Sequence, residues 1–333
     1  MQQKSTQSPY ISPAKKLAAL IEDKSGPCGV RESNYLPHLP LYDEPDLPRS
    51  RKARVVWSDA ASMGTAPAPR GSFPWMVSLF VLISGTGEAL FMCAGTLLTP
   101  NLVVTAAHCF TNNDREETWF ARVGDNYILT ADPEEQTFRV KKIIKHEKFD
   151  PLRTDGGLGG TGDGRHDIAL MVLQPNRGTK RIADNIQEHS GFVKFGLDVR
   201  PICTLPQSDY PNRKLYNLHC EIAGWGMTEY NNTGSYPYSI RAARISVGDV
   251  PEYYCNYLYR RDVRRTGKFC AGGQVDACQE DSGGPLVCQF EDQKFYLVGI
   301  VSSGKGCGVY PGLYTDVSHY MDWLAYWVQR ESI

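Results

Sequence analysis

The chain has 333 residues, with 36 Lys and Arg against 37 Asp and Glu. That balance excludes a nucleic-acid binder or a basic membrane-surface protein, whose affinity rests on excess positive charge. Hydrophobic residues at 41% and charged residues at 22% exclude wholesale disorder, and no apolar run approaches the roughly 18 residues of a membrane-spanning helix.

Ten cysteines without a C-x-x-C pair suit no zinc site. An even count of this size reads as five disulfides formed in an oxidising compartment, with the pairing left open by counting alone. A secreted, extracellular protein is therefore expected, although no signal peptide is visible. The longest apolar run near the start, residues 17–21, is too short for the core of one.

Residues 1–54 hold 7 of the 21 prolines, mixed charge and one cysteine. This composition predicts an extended linker or propeptide. It ends in Arg49-Ser50-Arg51-Lys52-Ala53-Arg54 before Val55-Val56, which reads as a protease-accessible processing site, the alternative being a solvated run of charge. Beyond residue 70 the pattern turns to short β-rich segments at 75–84, 91–98, 138–144, 168–173 and 295–302, separated by turn residues. The many turns, with 31 glycines and 21 prolines, favour a β architecture over a helical bundle. Only the C-terminus reads as helical, with Val317, Met321, Leu324 and Val328 on one apolar stripe. Residues 156–164 form a Gly-rich insert that reads as a surface loop. Asn231-Asn232-Thr233 is an N-glycosylation sequon.

Three segments carry chemistry. Val103-Val104-Thr105-Ala106-Ala107-His108-Cys109 is an apolar strand ending in small residues and a histidine. His166-Asp167-Ile168-Ala169-Leu170 puts an aspartate at the mouth of a buried strand. Asp281-Ser282-Gly283-Gly284-Pro285 sets a serine in a tight glycine turn. A hydrolytic serine needs a base to take its proton and a carboxylate to fix the tautomer of that base. A lone histidine at a strand end is more often structural, and Asp167 alone would pass for a cap residue; their joint occurrence is what points to catalysis.

In these residues, in the order His, Asp, Ser, the chain resembles the trypsin-like (chymotrypsin-fold) serine proteases. The resemblance runs from about Gly71 to the C-terminus. It extends to Gly71-Ser72-Phe73-Pro74-Trp75, Ala223-Gly224-Trp225-Gly226 and Pro311-Gly312-Leu313-Tyr314-Thr315. It implies an all-β fold of two six-stranded antiparallel barrels with a C-terminal helix, in a protease domain at 55–333 behind an extended Pro-rich prosegment at 1–54. It implies His108 as general base and then acid, Asp167 as its orienter and Ser282 as nucleophile, with the backbone N–H groups of Glu280 and Ser282 as oxyanion hole. Asp276 would pair with an Arg or Lys side chain of the substrate in a pocket bounded by Ser302, Gly304 and Gly312, and Lys305 would partly offset its charge.

Disulfides Cys93–Cys109, Cys220–Cys288, Cys255–Cys270 and Cys278–Cys307 follow from the same resemblance. Cys203 is then left for Cys28, as in relatives whose prosegment stays tethered after cleavage. Cutting after Arg54 would free Val55 to pair with Asp281. Asp125, Asp132 and Glu135 fall at the family's carboxylate positions for a structural calcium, and no cofactor is required. The partners expected are protein substrates, an upstream activating protease and protein inhibitors, with neither nucleic acid nor membrane.

Three residues or regions depart from the family. Glu280 replaces a glycine. A lost oxyanion donor costs roughly 3–4 kcal/mol; glutamate keeps its N–H, so the donor need not vanish, but a carboxylate about 6 Å from the oxyanion costs roughly 3 kcal/mol at an effective dielectric near 20, about a hundredfold in rate. The stretch between Val55 and Gly71 is longer than usual, so surplus chain must loop out; counting back at the family spacing lands on Ser62, behind Ala61. Ser303 replaces a tryptophan beside Gly304. The function expected is a secreted endopeptidase zymogen acting by limited proteolysis, the alternative being a non-catalytic homologue that binds partners through the old cleft.

Overall fold

The computed structural model describes residues 12–31, 65–83, 85–150, 164–175, 181–183, 186–187, 189–205, 218–273 and 275–333. Arg54, Val55, Ala61, Ser62 and all of the Gly-rich insert but Gly164 lie outside them.

Within the expected extended prosegment stands a helix, α1 (Pro13–Ser25). Ser12 accepts from the Lys15 N–H at 3.4 Å and Gly26 ends the helix, the ordinary start and stop chemistry of a helix. Ala14, Leu17 and Ile21 share one face and are fully buried, so the run 17–21 is a packing stripe. A helix of 13 residues is marginal alone in water. Its cover is the C-terminal helix, in the same apolar cluster, and burying Leu17 and Ile21 contributes about 1.5–3 kcal/mol each. After α1 the chain is held by Cys28–Cys203, which spans 175 positions, by Gly29 N–H to the Pro201 carbonyl at 2.8 Å, and by Phe295 N–H to the Gly29 carbonyl at 2.9 Å. The expectation of an extended prosegment is thus corrected for residues 13–25.

A two-residue strand, β1 (Ala66–Pro67), leads into β2 (Met76–Leu82), β3 (Ala89–Thr99), β4 (Leu102–Thr105), β5 (Trp119–Val123), β6 (Gln136–Lys145) and β7 (Ala169–Leu173). The last six close into a barrel in the order β2-β3-β4-β7-β6-β5. Strands β4, β5 and β7 are buried along their whole length, with Val77, Leu97, Val103, Phe138 and Met171 filling the interior. Their second face, with Leu102, Phe120, Leu170 and Val172, belongs to the apolar cluster that also holds α1, the C-terminal helix and part of the second sheet.

After a small hairpin, β8 (Arg181–Ala183) with β9 (Ile186–Gln187), come β10 (Cys203–Thr204), β11 (His219–Gly224), β12 (Arg241–Arg244), α2 (Glu252–Tyr259), β13 (Lys268–Ala271), β14 (Pro285–Gln289), β15 (Phe295–Ser303), β16 (Gly312–Asp316) and α3 (Met321–Glu331). Seven strands run β1-β12-β11-β14-β15-β16-β13, and β10 lies parallel to β15. In the second body the continuation of β12 meets β13 at the bridge Val247 to Ala271 and through the Gly272 N–H to the Ser246 carbonyl at 3.0 Å, which with the closed first barrel and the C-terminal helix accords with the expected fold. The C-terminal stripe Val317, Met321, Leu324 and Val328 is buried.

Candidate active site

His108 stands on a 3-10 turn, Ala107–Phe110, that follows β4, and Cys93–Cys109 ties this turn to β3. Asp167, 1% exposed, accepts the His108 backbone N–H on Oδ1 at 2.9 Å and faces Nδ1 with Oδ2 at 2.8 Å. With the Nδ1 proton directed at the carboxylate, Nε2 carries the lone pair. The Ser302 hydroxyl donates to Oδ2, and the Thr315 hydroxyl donates to the Asp167 carbonyl at 2.8 Å. Burial pushes this carboxyl up, but the His108 charge and N–H, Lys268 and Ser302 outweigh it and hold it well below the usual range. Ser302, expected in the pocket, therefore also belongs to the support of Asp167.

Ser282 lies on a turn stapled to the first barrel. Its carbonyl accepts the Ala94 N–H at 2.8 Å, and the Gly283 N–H reaches the Val301 carbonyl at 2.8 Å. Gly283 has φ 82°, and a Cβ there would stand 2.1 Å from Thr105 Oγ1 and 2.4 Å from the Ala94 carbonyl oxygen. No larger residue fits without moving the turn. Because Ala94 follows Cys93, and Cys93 is bonded to the neighbour of His108, serine and histidine are anchored to the same point in the middle of β3.

Asp276 is 3% exposed. It accepts from the Ala277 N–H at 2.9 Å, the Gly308 N–H at 3.4 Å and the Tyr314 hydroxyl at 3.4 Å. Burial pushes its carboxyl up to about 7 against these donors, and Asp281 adds to the push. A Cβ on Gly312 would lie 2.3 Å from Asp276 Oδ1, so only glycine leaves the carboxylate approachable from that side. Lys305 does not offset this charge by contact. Its ammonium turns outward, 3.4 Å from the Leu258 carbonyl and 5.3 Å from the Tyr259 ring centroid.

Glu280 takes a left-handed φ of 73°, a conformation that costs a non-glycine residue about 1–2 kcal/mol. Its half-buried carboxyl is pushed up by burial, an effect partly offset by the hydrogen bond from Tyr236. Tyr236 had no signal in the sequence: it lies 44 positions before Glu280 and meets it only in the fold. Asp281 accepts the Gly226 N–H at 2.8 Å and the Cys278 N–H at 2.9 Å, and burial raises it to about 6. A small opening beside it is lined by Thr65, Gly226, Arg241, Asp276 and Asp281. Pairing of Ala66 with Ala242 places the chain that follows the undescribed stretch at this opening.

Asp125, Asp132 and Glu135 bring ligand oxygens within 4.8 Å of one another. Arg122 already sits among them, with Nη1 3.4 Å from Asp125 and Nε 2.9 Å from Glu135. Asp132 Oδ2 accepts the Asn126 and Tyr127 N–H groups at 2.7 and 2.9 Å. Asp125 Oδ1 has no hydrogen bond, yet the guanidinium occupies two of the three acids whose oxygens an ion would need. As it stands this set does not fit calcium, and no chemistry is assigned to a metal here. The sequon's Asn231 is exposed, with its side-chain oxygen accepting from Gln279 Nε2 at 2.5 Å.

The remaining cysteines stand as Cys220–Cys288, Cys255–Cys270 and Cys278–Cys307. Arg31 was not singled out by its sequence surroundings. It donates to Glu221 at 2.7 and 3.2 Å, and its guanidinium carbon lies 4.2 Å from the Phe295 ring centroid.

The family model described as Trypsin matches residues 62–324. Among curated proteins the chain is similar to the urokinase-type plasminogen activator of Gallus gallus, 34% identical over 273 residues, which cover 79% of this chain and 56% of that protein. The chain thus spans about half the length of this relative.

Proposed function

The chain belongs to the trypsin family of serine proteases, and from that premise we propose a secreted endopeptidase, made as a zymogen, that cuts selected proteins after Arg or Lys. Ser282 Oγ attacks the scissile carbonyl while His108 Nε2 takes its proton. The imidazolium, steadied by Asp167, gives that proton to the leaving amine, and water releases the acyl-enzyme by the same relay. The N–H groups of Glu280 and Ser282 receive the oxyanion. Asp276 receives the guanidinium or ammonium of the cleaved residue. The observation that carries this reading is the enclosed Asp167, bonded through one oxygen to the His108 ring and through the other to its backbone. A carboxylate held in this way both orients the base and stabilises its charged form.

Five disulfides support an extracellular site of action. Activation at or near Arg54 by an upstream protease would free Val55 to reach Asp281. The tether at Cys28 would keep the N-terminal segment attached, which suits limited proteolysis under the control of protein inhibitors.

One observation favours a second reading, a homologue without turnover: Glu280, whose N–H would complete the oxyanion hole, stands in a strained conformation with a half-buried carboxyl held by Tyr236. The test is brief treatment with trace trypsin, its removal, sequencing of the new N-terminus, and assay of a peptide amide with Arg at the cleaved position. Turnover is expected, falling to background in Ser282→Ala, a loss of up to about a millionfold. Clean cleavage with no Ser282-dependent turnover would sink the protease reading in favour of the homologue.

A further inference from the structure

We infer that the rim of the Asp276 pocket carries a second, oppositely charged subsite, in which Lys305 and Arg260, with Arg261 behind them, take an acidic side chain of the substrate upstream of the cleaved Arg or Lys. The inference rests on the proposed proteolysis and names its substrate class more narrowly: basic at the cut, acidic just before it.

Two elements build the subsite. The end of β15 runs from Ser302, which holds Asp167, to Gly304, where a Cβ would stand 3.4 Å from Asp276 Oδ2. Lys305 follows, one residue beyond the pocket mouth. The C-terminal end of α2 meets it there: Lys305 Nζ lies 3.4 Å from the Leu258 carbonyl and 5.3 Å from the Tyr259 ring centroid. The Arg261 guanidinium carbon lies 5.9 Å from that same ring. Tyr259 is fixed, its hydroxyl donating to the Pro311 carbonyl at 2.5 Å. Arg260 caps α2 at φ 52° and is exposed.

The acids nearest in the chain are already engaged, Glu252 with Arg264 at 2.8 Å and Asp262 with Arg265 at 2.9 Å. Neither Lys305 nor Arg260 makes an ion pair among the described residues. The α2 carbonyl end holds Lys305, and exposed Arg260 follows directly on Tyr259, the ring that the ammonium faces. The leaving half of a substrate departs past His108, which must protonate it. Lys305 lies beyond the pocket mouth from the Asp167 end of β15, so it meets the acyl half. Exposed charges gain little singly, but two or three converging on one carboxylate give selectivity and faster encounter.

The test compares two peptides with Arg at the cleaved position, one with Glu at the second and third upstream positions and one with Gln, on the trypsin-treated full chain. The expected kcat/KM ratio is about fivefold for the acidic peptide, carried by KM and erased by raising the salt from 50 to 500 mM. Lys305→Gln with Arg260→Gln brings the ratio to about one, and Lys305→Glu inverts it. Anisotropy of the same peptides, labelled, on Ser282→Ala protein reads the preference without turnover, so an inactive wild type would defeat the protease reading while this inference is still decided by binding. Equal binding of the two peptides, or a ratio untouched in the double variant, overturns it. So does a sulfated polysaccharide that binds with Lys305 dependence while the acidic peptide shows none.

Discussion

Glu221 at the back of the second sheet and Asp276 beneath the nucleophile turn are both buried carboxyls, yet they sit on opposite sides of their ordinary values. Burial pushes Glu221 up, but hydrogen bonds from His219 and Arg31 and the Arg31 charge outweigh it and hold it low. Asp276 has only neutral donors, and burial leaves it at about 7. Asp281 is the same case, at about 6. A carboxylate whose task is structural brings its cation with it, here from the N-terminal segment. Under the proposed function Asp276 is left without one because its cation arrives from outside with the substrate and offsets the cost of its burial.

That contrast can be broken at either end. Asp276→Asn should lower kcat/KM on Arg peptides by roughly a thousandfold, since removing one partner of a buried pair costs about 3–5 kcal/mol. In the unaltered chain a bound arylamidine must displace a proton from Asp276 below its value of about 7. Its affinity should therefore rise with pH by up to about tenfold per unit below 7 and level off above it. Calorimetry across pH 5 to 9 checks this; a flat profile would show that Asp276 does not receive the cation.

Arg31→Met should cost about 3–5 kcal/mol of stability by stranding Glu221, measured by urea unfolding at pH 7. Because Glu221 is depressed in the folded chain, its contribution is full above the ordinary glutamate range and is lost as pH falls through and below it. The cost of Arg31→Met should shrink correspondingly toward pH 4. A variant as stable as the parent at pH 7 would mean that the tether is ornamental.

Smallest of the three substitutions in effect is Glu280→Gly. It should return about 1 kcal/mol of stability through the left-handed φ and raise kcat about tenfold. This is less than the hundredfold of a free carboxylate, because the Tyr236 hydroxyl already holds this one. Unchanged kcat would mean that the carboxyl never faces the oxyanion.

Much of the site was legible in the chain itself. Glycines after Ser282, the small residues before His108 and the strand after Asp167 are local signatures of tight turns and buried strands, and the structure joins His108 to Asp167 and ties the Ser282 turn to β3. The N-terminal helix was not legible, since Ala14, Leu17 and Ile21 make too short a stripe to stand without α3. Tyr236 escaped notice because nothing near it in sequence sets it apart, and Arg122 because a guanidinium among acids announces itself only when its direction is known.

By itself the sequence determined the β architecture after residue 70, the candidates for the chemically active side chains and the even cysteine count, because these depend on periodicity, turn chemistry and residue type within a few positions. Tertiary structure alone decided where the long cations point. Arg31 goes to Glu221, Arg122 into the acidic loop, and Lys305 away from Asp276 toward α2. Such side chains have several partners within reach, and the choice among them is made by desolvation and neighbours far away in the chain.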